Sequence, residues 1–254
     1  QLVGVGRDQS VLKAEEKLTA AGTMILFRPN ARGKVRGLSL VGPKEIGEFG
    51  CNTLVHYGGP EGSLVVHDCL VSSAGTAVKM EELDGKQDSK QDSPTLLVTD
   101  SVLSGRQCVL GYNSGRYDLV RTEFRDYGVA GSNQFHAIYC ALPVSLHVER
   151  CVFQGNVGGG LEIHPYSQKI PGKGTVTILD TEFRPSAAGQ GILTHAETLT
   201  VIRGCRLGTT QIHVRKGGAV VSESALEKRS QITGYALEPP GPGTWVLRDC
   251  RFGE

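Results

Sequence analysis

Three of the chain's seven histidines, His164, His195 and His213, fall on one set of outward positions with Glu162, Tyr139, Tyr112 and Arg215 when its repeats are read by alternate residues. Removing a proton alpha to a carboxylate needs a base near neutrality, a cation for the developing enediolate, and an acid for the leaving oxygen or the opposite face. Imidazole, guanidinium and phenol supply those three functions. On this reading His164 or His195 is the base, Tyr139 or Tyr112 the acid, and Arg215 the carboxylate clamp. Tyr112, Glu162, His213, Lys79 and Tyr235 would contact substrate. His164, His195 and Glu162 are also ligand types suited to zinc. No HxH or HExxH spacing fixes a metal geometry, so no cofactor is expected, with a divalent cation as the open alternative. His56, His67, His136 and His147 read as plain polar surface.

These groups can meet only if distant segments stack, and a repeat says that they do. The residues before the x-Phe/Leu endings are Leu38, Cys69, Ser101, Thr122, Cys151, Thr181, Cys205, Ser224 and Cys250. Their separations of 31, 32, 21, 29, 30, 24, 19 and 26 residues are the period of a solenoid whose units bury their apolar faces on one another. Each unit carries two or three short runs of period-two alternation, as in SLHVERCVFQGNVGGGLEI, and thirty-four glycines are available for corners. The expected fold is therefore an all-β, single-stranded, right-handed parallel β-helix of about nine to ten coils. Small side chains in the repeated position would stack inward at one corner, because successive coils lie only about 4.8 Å apart.

Alternation assigns an inward column of Ile25, Val78, Val109, Ile138, Ile163, Ile192, Ile212 and Ile232. One outward column would hold Leu26, Lys79, Leu110, Tyr139, Glu162, Leu193, His213 and Thr233. The other would hold Arg28, Glu81, Tyr112, Ala141, His164, His195, Arg215 and Tyr235. Vertical neighbours about 4.8 Å apart would let His164, His195 and Glu162 converge.

At 254 residues and 39% hydrophobic, the chain has enough apolar content for a sizeable core. A formal net charge of +1 gives no polyanion signal, so no nucleic-acid partner is expected. No run is long and apolar enough for a membrane span. Seven cysteines without a CxxC pair read as structural filler, four of them in the corner ladder, rather than as disulfides or zinc ligands. Residues 1–254 read as one domain with polar insertions near 81–95 and 165–174, and KAEEKLTAA as a surface turn. The lone Trp245 is expected in buried packing. The abrupt opening QLVGVGRDQSVL suggests a piece of a longer protein, whose neighbouring domains or a partner would cover the last sheet edge.

Repeats such as VERCVFQGNVGGGLEI, with the opening LVGVGRDQSVL, resemble the pectin-lyase-like right-handed parallel β-helix repeat superfamily over essentially the whole chain. That resemblance implies that the strand after the Gly-rich turn belongs to the sheet whose outer face carries the sugar groove. It leaves function open, since the superfamily includes polysaccharide lyases, hydrolases, epimerases, tailspikes and non-catalytic modules. The acidic cluster of calcium-dependent pectate lyases and the paired aspartates of polygalacturonases are missing from the outward columns. Glu162-Ile163-His164-Pro165 departs from the DPH element of mannuronan C5-epimerases. Two expectations follow: a domain binding an extended, uronic-acid-type polysaccharide, with lyase or epimerase activity, or a non-catalytic scaffold that binds a protein. The first would be extracellular and the second cytoplasmic.

Overall fold

The computed structural model describes residues 1–14, 22–29, 31–43, 53–59, 62–81, 94–112, 115–141, 144–158, 162–166, 174–186, 190–194, 198–208, 210–214, 218–227, 230–234 and 244–253. Its strands form three sheets in which every pairing is parallel and links consecutive coils. The first sheet has ten strands, from Leu2–Val3 to Thr244–Arg248, and the second ten, from Val11–Lys13 to Arg251–Phe252. The third has nine, from Thr23–Phe27 to Gln231–Gly234. The chain visits the three sheets in turn and returns to the first one coil higher. This is a right-handed parallel β-helix of nine complete coils and a two-stranded tenth.

Each sheet contributes one unbroken apolar column to the interior. On the first sheet Val35, Val66, Val98, Leu119, Val148, Ile178, Ile202 and Val221 follow one another in register, all buried. The second sheet stacks Phe124, Phe153 and Phe183, with ring centroids 4.5 and 4.7 Å apart and planes nearly parallel. Parallel strands one coil apart impose that spacing, and offset rings gain contact from it. On the third sheet the expected inward column is present. Val55 fills the place between Ile25 and Val78 that alternation had skipped.

The corner between the first and second sheets explains the repeat. The residue before each ladder position is left-handed: Gly37, Asp68, Asp100, Arg121, Arg150, Asp180, Gly204, Glu223 and Asp249 have φ between 47° and 67°. Such a corner suits Gly and Asp, whose small or locally bonding side chains tolerate the conformation. The next side chain points inward and is buried from Leu38 to Ser224. Its backbone N–H finds an acceptor in the coil above: Cys69 N donates to Ser101 Oγ (3.1 Å), Cys151 N to Thr181 Oγ1 (3.3 Å) and Cys205 N to Ser224 Oγ (3.1 Å). Each hydroxyl in turn donates to the carbonyl two residues before it. Cysteine and hydroxyl residues thus complete each other's hydrogen bonds along the axis. Cys69, Cys108, Cys140, Cys151 and Cys205 are free and buried, and Cys250 is half-buried.

One expectation needs correction, and three fall mostly outside the described residues. Trp245 takes an inward register beside buried Ala219, but it lies on the tenth coil and is 46% exposed. The insertions near 81–95 and 165–174 lie outside the described residues except at their ends, as does most of KAEEKLTAA.

Candidate functional site

Residues one place after the inward column of the third sheet point outward. In successive coils they are Leu26, His56, Lys79, Leu110, Tyr139 and His164, each in register with the next. Tyr112 follows two places after Leu110. Four sequence candidates, Lys79, Tyr112, Tyr139 and His164, are therefore brought together on one face. The Lys79 ammonium lies 5.6 Å from the centre of the Tyr112 ring. Tyr112 meets Tyr139 edge-on at 6.2 Å, and Tyr139 meets His164 edge-on at 5.2 Å.

His136 completes this row and was missed from the sequence. It is 5% exposed, lies nearly parallel to Tyr139 at 5.7 Å, and shares a 2.8 Å hydrogen bond between its Nε2 and His164 Nδ1. A bond between two imidazole nitrogens contains one proton. At least one ring must therefore be neutral while it persists. His136 belongs to the excursion between the second and third sheets, where alternation carries no information. The polar-surface reading of His136 is thereby corrected. His56 is corrected likewise: it is 7% exposed, and burial, followed by the nearby Lys79, lowers its pKa, against the opposing pull of Glu81. Glu81 forms an ion pair with Lys79 and lies 3.9 Å from His56 Nε2. His67 and His147 do fit the polar-surface reading, half-buried on the first sheet beside Asp100 and Glu149.

Glu162 does not face outward. It precedes the strand Ile163–Tyr166, so it sits in a corner where alternation has not begun, and its side chain is fully buried. Its Oε1 accepts from Tyr127 Oη (3.1 Å) and Asn156 Nδ2 (3.3 Å), and its Oε2 from the Gly191 N–H. Burial raises its pKa to about 7 although all these donors favour the charged form. Tyr127 is pushed up as well, by its own burial and then by Glu162. Glu162 braces three coils from inside and is removed from the substrate-contacting set.

His164 consequently takes the place assigned to Glu162, in register with Tyr139. His213 is on the same sheet but two coils beyond His164, about 10 Å away by coil spacing, with buried Leu193 at the level between. His195, Arg215 and Tyr235 lie outside the described residues. No group of three or more His, Cys, Asp or Glu suited to a metal occurs among the described residues. The face thus offers two phenol rings for stacking, an imidazole pair that can accept or pass a proton, and an ammonium at one end. Comparison with family models, curated proteins and solved structures finds no match.

Proposed function

We propose that the outer face of the third sheet binds an extended uronic-acid polysaccharide, with Tyr112 and Tyr139 carrying sugar rings and the His136–His164 pair acting on them. The observation that carries this reading is the contact row from Lys79 through Tyr112 and Tyr139 to the histidine pair, contributed by four successive coils. A polymer laid along the axis meets these groups in sequence. Aromatic faces suit the C–H faces of sugars, and Lys79, ion-paired with Glu81, can share its ammonium with a uronate carboxylate.

The chemistry follows from the pair. A neutral imidazole removes the proton alpha to the uronate carboxylate, and the partner imidazole orients it through the shared hydrogen bond. The electron pair moves into the enediolate. In a lyase it then expels the 4-linked oxygen, which takes a proton from Tyr139; in an epimerase Tyr139 returns a proton to the opposite face. Similarity to the pectin-lyase-like superfamily agrees with this choice and rests on the repeats alone.

The test is a screen of alginate, pectate and glycosaminoglycans for unsaturated products absorbing in the ultraviolet, together with binding by affinity electrophoresis. Retention on a polyuronate that is lost in Tyr139→Ala supports the site, and product formation lost in His164→Ala supports the chemistry. Absence of retention on every polymer overturns the proposal. A second reading, a scaffold that docks a protein partner or a neighbouring domain, is favoured by the exposed Trp245, Val246 and Phe252 on the last coil.

A further inference from the structure

A concave surface that shares no residue with the row just described lies at the corner where the chain leaves the second sheet for the third. It is a groove of about 640 Å³, within the range of small-molecule sites. Its walls come from four consecutive coils, represented by Ser72, Ser104, Arg106, Asp126, Val129 and Val157. Four coils at about 4.8 Å spacing make it about 14 Å long along the axis. That length suits an extended ligand of several units rather than a single ion.

Ser73 Oγ in this groove accepts from the Gly75 N–H, whereas Ser72, Ser104, Arg106 and Asp126 are the uncommitted polar side chains. Arg106 has its guanidinium over the Phe135 ring at 4.9 Å, and its Nε is buried with no hydrogen-bond partner. Neither Arg106 nor Asp126 forms an ion pair with any described residue. The Ser72 and Ser104 hydroxyls, in register on adjacent coils, make no hydrogen bond among the described residues. A buried donor without an acceptor is costly unless a ligand supplies one. Glycine keeps the corner tight: a Cβ on Gly105 would lie 2.6 Å from the Ser73 carbonyl oxygen.

The chemistry selects among ligands. An anion would meet the Asp126 carboxylate as well as Arg106, so the groove has no net preference for charge. A peptide adding as a strand would need a free sheet edge. Here each strand edge is already paired to the next coil. A neutral saccharide matches all the groups: its hydroxyls can accept from Arg106, donate to Asp126, and do both with serine.

We infer that this groove is a binding site for a neutral oligosaccharide, separate from the outer face of the third sheet and independent of the function proposed there. The test uses the full chain and the NMR signal of the Arg106 Nε–H, assigned by its loss in Arg106→Lys. Maltotriose, cellotriose and mannotriose are the neutral probes at about 10 mM, the range of weak binding, with trigalacturonate and an uncharged hexapeptide beside them. At least one neutral trisaccharide should shift the signal. Asp126→Asn, tolerated in the left-handed backbone there, should weaken that affinity roughly ten- to a hundredfold, the effect of losing one charge-assisted hydrogen bond. Ser104→Val should weaken it less, and Tyr139→Ala should leave it unchanged. No shift with any neutral trisaccharide, or a larger shift with trigalacturonate or the peptide, overturns the inference.

Discussion

Replacing Glu162 by Gln exposes a proton that the fold binds. Glu162 is fully buried, and its pKa is raised from 4.5 to about 7 by burial, the donors from Gly191, Asn156 and Tyr127 opposing without winning. A carboxyl whose folded pKa exceeds its unfolded value contributes stability in full below the unfolded pKa, and loses it as pH rises through the folded one. The window is therefore pH 4.5 to about 7, and the loss across it amounts to roughly 3 kcal/mol. Gln carries no titrating proton, so the variant should lack this slope. It should also be less stable than the wild type at pH 5 by about 1–3 kcal/mol, because its NH₂ must face a donor, either the Gly191 N–H or Asn156 Nδ2. The assay is urea unfolding of both proteins followed by far-ultraviolet circular dichroism from pH 4.5 to 8. Between pH 5 and pH 8 the wild type should lose about 2–3 kcal/mol relative to the variant, so its advantage vanishes or changes sign. A wild-type stability that, relative to the variant, stays constant or rises with pH would refute the assignment of a buried, protonatable Glu162.

Three other perturbations probe the frame. Thr181→Val removes the acceptor for Cys151 N–H and should cost about 1–3 kcal/mol in urea unfolding, whereas Thr175→Val, at an exposed position, should change little. Phe153→Ala, at the middle of the aromatic stack, should cost about 3–5 kcal/mol by the same measurement. Native protein treated with a thiol reagent should be labelled at Cys250 well before Cys151 and Cys205, whose thiols burial pushes up to about 12 and about 11, as read by peptide mass mapping. Urea should abolish that order.

The coil architecture was legible because a period-two pattern and a corner ladder both repeat, and each repeat constrains the next. All three apolar columns follow from alternation within strands. What alternation could not supply lies at corners. Glu162 stands one place before its strand begins, so counting from Ile163 in the wrong direction placed a buried carboxyl on the outside. His136 ends a long excursion between sheets, and only the folded backbone carries it back over Tyr139. The Asp and Gly residues before the corner ladder were visible in VTDS, ILDT and VIRGC, but their left-handed backbone shows only in the structure. Lys79, Tyr112, Tyr139 and His164 were recoverable because they sit inside or just beyond regular strands, where one residue of register decides the face.

The most direct test of the proposed site follows the imidazole nitrogens of His136 and His164 by ¹⁵N NMR as trigalacturonate is added. Binding at the proposed site should shift both rings together and saturably, and Tyr139→Ala should abolish the response. Saturable binding of the trisaccharide that leaves both rings unmoved, or no binding at all, would contradict it.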